Sequence, residues 1–227
     1  MRYTLLSIPV LLFSVIIHEV SHGWMAERRG DPTARYAGRL TLNPLPHIDL
    51  FGSILLPAML FLSQSPILFG YAKPVPINPY NLRHPKKDLM WIGLSGPLSN
   101  IIIAFVCGLL FRILYRPAMM GFLNPFIALF TLGVIINLVL ALFNMIPIPP
   151  LDGSRVVLHF LPPEYEYTFR NLERYGMFIV FGLLFLGPML GLPIFRWIIY
   201  GFGNPICYLF TGLSINGLYG ALLQLLG

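Results

Sequence analysis

A stretch from Tyr3 to Ala26 is apolar enough to cross a lipid bilayer, and it nevertheless contains the polar run His18-Glu19-Val20-Ser21-His22. An ionisable residue at the centre of a spanning helix costs roughly 2.5–3.5 kcal/mol of insertion free energy, so this run indicates a function that offsets the penalty. Residues four apart share a helix face, so both histidines can present a ring nitrogen to one ion, with Glu19 beside them.

The spacing His-Glu-x-x-His on a helix is typical of zinc sites. A single buried histidine is more often a hydrogen-bonded core residue, but Ser or Thr could fill a merely structural role in this helix without an ionisable group. We therefore predict one Zn²⁺ per chain, with His18 and His22 among its ligands.

The composition excludes a soluble single domain, because 56% of residues are hydrophobic and only 11% are charged. The net charge of +6 comes from basic residues in short loops, so no nucleic-acid partner is expected. Cys107 and Cys207 lie in apolar runs without a paired spacing, which argues against a disulfide framework or a thiolate zinc site. The first apolar run is too long for a cleaved signal peptide, so we expect it to be retained.

The remaining apolar runs predict further membrane spans, namely Leu89–Leu114, Pro125–Ile146, about Tyr175–Tyr200 and about Phe202–Leu226. Phe51–Phe69 is interrupted by Pro57, so we predict that it does not cross. With five spans, one side of the membrane receives only Arg2, Arg112, Arg116 and Arg196, and the other side receives the remaining eleven of the fifteen Lys and Arg residues. A sixth span would divide them seven to eight, so the bias favours five spans with the basic side cytoplasmic.

The segment Gly38–Pro57 follows the first span and mixes short alternation with Pro and Gly, which predicts short strands and turns. Irregular backbone at membrane depth needs cover from protein or a water-filled cavity. The predicted fold is therefore an all-α polytopic membrane protein with about five transmembrane helices and a small membrane-embedded β-region after the first. An edge of that β-region could hold an extended peptide.

A catalytic zinc site needs a third protein ligand. The candidates are His47, Asp49, His84, Asp152, His159 and the loop glutamates. Asp152 stands out because the prolines of Pro147-Ile148-Pro149-Pro150 break a spanning helix just before it and Gly153 gives the turn room. The five-span topology also puts Asp152 at the same membrane face as the histidines, whereas six spans would separate them.

The two motifs together resemble the site-2 protease family of zinc intramembrane metalloproteases. The resemblance rests on His18-Glu19-Val20-Ser21-His22 paired with Asn144-Met145-Ile146-Pro147-Ile148-Pro149-Pro150-Leu151-Asp152-Gly153, and it covers roughly Ser14 to Ser154. Gly96-Pro97-Leu98-Ser99-Asn100 also resembles an element of that family, and Gly38–Pro57 resembles its embedded β-region. The resemblance implies zinc held by His18, His22 and Asp152, with Glu19 as general base and Asn144 near the substrate carbonyl.

This resemblance implies a compact protease, without a PDZ or CBS domain, that cleaves transmembrane proteins or peptides within the lipid bilayer of the cell membrane. We expect a single domain over 1–227, with a catalytic core of about 3–160 and two C-terminal spans within about 175–226. The active site is expected within the membrane toward the cytoplasmic face. The alternatives are a membrane zinc transporter and a catalytically silent scaffold. Asn100 and Asn137 are interpreted chiefly as interhelical hydrogen-bond partners.

Overall fold

The computed structural model describes residues 2–55, 59, 62, 72–116, 121 and 123–226. Three of its helices are long and apolar enough to cross a membrane: α1 (Arg2–Arg28), α2 (Pro85–Leu114) and α3 (Asn124–Asn144). A helix forms its backbone hydrogen bonds within itself, as a segment surrounded by lipid must do, and only Pro9 of α1 and Pro97 of α2 interrupt that pattern inside these helices. α2 packs against both α1 and α3, so it is the central helix of this group.

The C-terminal part consists of shorter helices: α4 (Asp152–Phe160), α5 (Pro163–Asn171), α6 (Glu173–Met189), α7 (Ile194–Thr211) and α8 (Ile215–Leu226). α5 and α6 bend by 59° at their junction, and α7 and α8 bend by 57°. Counted as one span each, these two bent pairs bring the candidate spans to five, in agreement with the predicted number.

The predicted bounds of the last two spans were wrong. The break falls between α6 and α7, within the predicted span Tyr175–Tyr200, because Gly191 has a φ of +75° and Pro193 precedes the first residue of α7. α7 then continues unbroken through the predicted boundary at Tyr200–Phe202 and ends where Gly212 takes a left-handed conformation with φ +81°. Proline and glycine therefore end these helices, as expected, but at other positions.

The main apolar core joins the two halves of the molecule. It includes Phe111 of α2, Leu138 of α3, Phe210 of α7 and Leu218 of α8, all of them buried. A side chain at Gly108 would lie 2.8 Å from Phe210 Cβ, so this glycine lets α2 and α7 approach closely. α1 lies outside that core and packs on α2 and α3, where the candidate site is found.

The described part of the predicted β-region, residues 38–55, contains no strand, so this prediction was wrong. It forms turns, a 3₁₀ turn at Leu45–His47 and a wide helical turn at Leu50–Leu55. Local side chains satisfy the backbone instead: Asn43 Oδ1 accepts from the Leu45 N–H at 3.1 Å, and Asp49 Oδ1 accepts from the Gly52 N–H at 2.7 Å. Most of Phe51–Phe69 lies outside the described residues, so its predicted failure to cross stays a prediction.

Candidate metal centre

His18 and His22 lie one turn apart on α1 and point into the interface with α2. Their side chains are buried, and the two Nε2 atoms lie 3.0 Å apart. The rings meet edge to face with centroids 4.6 Å apart, so both Nε2 atoms converge on one point. The spacing of four residues produces this arrangement because it places both side chains on the same helix face.

Asp152 reaches the same point from a distant part of the chain. α3 ends at Asn144, and a proline-rich turn leads to α4, which begins at Asp152. The Asp152 Oδ2 atom lies 3.0 Å from His18 Nε2 and 3.1 Å from His22 Nε2. Gly153 makes the turn possible, because a Cβ there would lie 2.2 Å from the Met145 carbonyl oxygen. Within the described residues, these three side chains are the one group of metal-ligating type close enough to share an ion.

The outer ring nitrogens fix the tautomer of both histidines. His22 Nδ1 donates to the Ile92 carbonyl oxygen at 2.7 Å, and His18 Nδ1 donates to Asn100 Oδ1 at 2.6 Å. Each ring therefore carries its proton on Nδ1 and turns the lone pair of Nε2 toward Asp152. Such outer hydrogen bonds commonly orient histidine ligands in metal sites.

A buried polar chain holds Asn100 in this orientation. Asn100 Nδ2 donates to Asn137 Oδ1 at 2.8 Å, and Asn137 Nδ2 donates to Ser14 Oγ at 2.8 Å and to the Gly133 carbonyl oxygen at 2.8 Å. Ser14 Oγ in turn donates to the Val10 carbonyl oxygen at 2.7 Å. Each donor group in this chain has its own acceptor. Side chains of α1, α2 and α3 therefore jointly fix the orientation of the Asn100 amide, whose oxygen accepts from His18.

The donor set fits a divalent metal ion such as zinc. Two imidazole nitrogens and a carboxylate oxygen lie within 3.0–3.1 Å of one another, and such acceptors repel unless a proton or a metal cation lies between them. Zinc binds this combination of nitrogen and oxygen donors at about 2.0–2.2 Å. Gly96 keeps the space beside the rings clear, because a Cβ there would lie 2.5 Å from His22 Nε2 and 2.6 Å from His18 Cε1.

Glu19 is supported from a different part of the chain. Its side chain is partly buried, and Oε2 accepts a hydrogen bond from the Val75 backbone N–H at 2.8 Å. Residues 72–78, which form neither helix nor strand, are tied down on both sides of Val75. The Lys73 N–H donates to the His47 carbonyl oxygen at 2.9 Å, and the Asn78 N–H donates to Asp31 Oδ2 at 2.7 Å.

The other candidate residues lie elsewhere. Asn144 is the last residue of α3, and its Nδ2 donates to the Leu140 carbonyl oxygen at 3.0 Å within its own helix. His47 Nε2 pairs with the Thr41 carbonyl oxygen at 2.9 Å, and His159 stacks edge to face on Phe160.

The fold and this cluster define a class: a helical membrane protein with a buried centre of two histidines and one carboxylate, the donor set of a metal-dependent hydrolase. Comparison with known proteins agrees. The model of "Peptidase family M50" matches residues 116–187. A Bacillus subtilis (strain 168) protein named "Putative zinc metalloprotease YwhC" is 37% identical over 195 residues, which are 82% of this chain and 84% of that protein.

A second relative, "Putative zinc metalloprotease Rip2" of Mycolicibacterium smegmatis, is 30% identical over 206 residues, covering 89% of this chain and 73% of that protein. No solved structure matches the chain significantly. The chain therefore belongs to peptidase family M50, the site-2 protease family, and it is a membrane metalloprotease. This confirms the predicted family.

Proposed function

We propose that this chain is an intramembrane metalloprotease with one zinc ion, held by His18, His22 and Asp152. The observation that carries the proposal is the convergence of His18 Nε2, His22 Nε2 and Asp152 Oδ2 within 3.0–3.1 Å. The two histidines belong to a helix that is long and apolar enough to span the membrane, which supports cleavage within the bilayer. The substrate is a transmembrane protein or peptide.

Held by His18, His22 and Asp152, a zinc ion would supply Lewis acidity at the scissile carbonyl and a water of pKa about 7. Glu19 then acts as general base: its Oε2 is held by the Val75 N–H, which leaves Oε1 to take the proton from the attacking water. The same carboxyl group returns this proton to the leaving amine, so the carboxylate is regenerated. Asn144 carries a second amide hydrogen besides the one on Leu140, and we assign it to the substrate carbonyl.

The side of the membrane is also part of the proposal. α1 runs from Arg2 to Arg28, and Asp152 at the start of α4 contacts His18 and His22, which lie in the second half of α1. Most Lys and Arg residues in loops lie on the side where α1 ends in a five-span topology, so we place the active site in the cell membrane toward the cytoplasmic face. A reporter fused to the C-terminus tests this topology, and an extracytoplasmic reporter would contradict it.

The test of the function compares Glu19→Gln with the wild-type full chain, purified in detergent or bilayer and mixed with a membrane-spanning substrate. We expect cleavage to fall by about 10²- to 10⁴-fold, because the general base is lost, while bound zinc is retained. Glu27→Gln is the matched control, since Glu27 lies on the same helix but pairs with Arg35. Zinc-dependent cleavage by Glu19→Gln at the wild-type rate would defeat the assignment.

A further inference from the structure

A polar cavity lies away from the candidate metal centre, where the end of α1 meets the start of α2. Its volume is about 440 Å³. The residues that line it include Trp24, Arg28, Arg29, Arg83, His84 and Asp88. None of them belongs to the candidate metal centre, so neither the cluster nor its chemistry explains this cavity.

The cavity carries more positive than negative charge. Its carboxylate, Asp88, is buried and already accepts from the His84 N–H at 2.7 Å and from Arg29 Nη1 at 3.4 Å. Arg28 and Arg83 thus add two positive charges that Asp88 does not balance. The backbone N–H of Arg83 donates to the Arg29 carbonyl oxygen at 3.3 Å, so Arg83 is held beside Arg29, the neighbour of Arg28 in the chain. Like charges held together in a partly enclosed space favour a bound anion.

The position of the cavity indicates which anion. It lies at one end of two helices that are long and apolar enough to span the membrane. The guanidinium carbon of Arg28 lies 4.1 Å from the ring centroid of Trp24. The guanidinium carbon of Arg29 lies 5.5 Å from the ring centroid of Trp91. Tryptophan is enriched at the level of lipid headgroups, where its ring is half in water. Guanidinium groups match the geometry of phosphate oxygens and can bind them in pairs.

We propose that this basic cavity binds the phosphate of an anionic phospholipid headgroup. The lipid's acyl chains remain in the bilayer beside α1 and α2, and the phosphate contacts Arg28 and Arg83. Free inorganic phosphate presents the same oxygens but has no acyl anchor in the bilayer, so lipid binds more tightly. The proposal goes beyond the protease function and does not depend on it.

The experiment titrates the purified full chain with phosphatidylglycerol or phosphatidylcholine and counts bound lipids by native mass spectrometry. An arginine near a membrane surface contributes about fivefold to the affinity for anionic lipid, so Arg28→Gln combined with Arg83→Gln should weaken phosphatidylglycerol binding about thirtyfold. The matched control combines Arg116→Gln with Arg196→Gln, which removes the same charge elsewhere. We expect that control to stay within about twofold of wild type.

Two results would overturn the proposal. One is phosphatidylglycerol binding that is no tighter than phosphatidylcholine binding, or that survives in the Arg28/Arg83 double variant. The other comes from a parallel titration with inorganic phosphate: displacement of lipid at equal concentration would identify a free-phosphate site instead. Unchanged zinc content in the double variant shows that it is folded, so weaker lipid binding cannot be attributed to unfolding.

Discussion

His18 and Glu19 are neighbours on one turn of α1, yet they are held in different ways. His18 contacts Asn100 of α2, which is tied through Asn137 to α3, and all three side chains are buried. Glu19 accepts one hydrogen bond from Val75, in a segment without helix or strand. Helix packing therefore positions the proposed metal ligands, whereas a loop segment orients the proposed base.

This difference implies that metal binding and turnover can be separated by mutation. Substitutions in the interface of α1, α2 and α3 should weaken zinc binding, because the side chains proposed as ligands would no longer be held in position. Changes in residues 72–78 should leave zinc bound and slow cleavage.

Gly96→Ala should abolish tight zinc binding. The added methyl group would lie about 2.5 Å from the His22 ring, so both histidine rings must move apart. Overpacking of this kind costs up to about 3 kcal/mol, which corresponds to a loss of zinc affinity of about 100-fold. Titration of the purified protein with zinc measures this loss of affinity.

Gly201→Ala is the matched control, because nothing lies within 4 Å of a Cβ at that position of α7. It should bind zinc like the wild type. Normal zinc affinity in Gly96→Ala would show that the two rings do not converge as described.

Asn100→Leu should weaken zinc binding by about 10- to 100-fold, as is usual when the outer partner of a histidine ligand is removed. Leucine cannot accept the proton of His18 Nδ1, so the ring loses its fixed tautomer and orientation. Asn216→Leu is the control, since Asn216 is exposed on α8 and accepts a hydrogen bond from the Tyr200 hydroxyl at 3.1 Å, away from the candidate metal centre. Equal zinc affinities in the two variants would contradict the positioning role of Asn100.

The sequence alone predicted that His18, His22 and Asp152 belong to one site, and the structure brings their side chains together, but it did not predict what supports them. His18 and His22 follow from helical spacing, and Asp152 follows from the proline-rich turn before it. Asn100 and Asn137 were expected to form interhelical bonds, but their partners could not be predicted. α2 and α3 are apolar on all sides, so periodicity does not reveal which face is buried.

The β-region was mispredicted for a related reason. Alternation near Leu40 and Leu42 resembles a strand, but the side chains of Asn43 and Asp49 bond to nearby backbone amides. Those local bonds compete with strand pairing, and their strength cannot be judged from alternation. The contact between Val75 and Glu19 joins residues 56 positions apart, and no local pattern in the sequence predicts it.

Val75→Pro should slow cleavage about tenfold while zinc stays bound, because proline has no N–H to donate to Glu19 Oε2 and a hydrogen bond to a charged group contributes about 1.5 kcal/mol or more. Val75→Ala keeps the N–H and is the control for lost side-chain packing. Cleavage and zinc content are measured on the same preparations. Loss of zinc in Val75→Pro would mean that the loop also supports the ligands, contrary to the proposed division.

Asp31→Asn should produce the smallest effect, a local destabilisation of residues 72–78 of about 1 kcal/mol. Burial alone would raise the pKa of Asp31, but hydrogen bonds from Thr33, Asn81 and the Asn78 N–H outweigh burial and hold the pKa below its ordinary value. A lowered folded-state pKa stabilises the protein above the ordinary aspartate pKa, and the stabilisation is lost as pH falls through the folded-state value.

Hydrogen exchange at residues 72–78, corrected for the intrinsic pH dependence, measures this effect. Wild-type protection should exceed that of Asp31→Asn at pH 7, and the difference should shrink below about pH 4. Glu173→Gln is the control, because Glu173 is exposed at the start of α6. A difference that grows on acidification would have the wrong sign and would refute the role of the Asp31 carboxylate.

The most direct test of the metal centre is zinc X-ray absorption of the purified, zinc-loaded protein. The account predicts only nitrogen and oxygen ligands at about 2.0–2.2 Å, with scattering from two imidazole rings for His18 and His22. A sulfur ligand at about 2.3 Å, which would implicate Cys107 or Cys207, would contradict the account. So would a spectrum with fewer than two imidazoles.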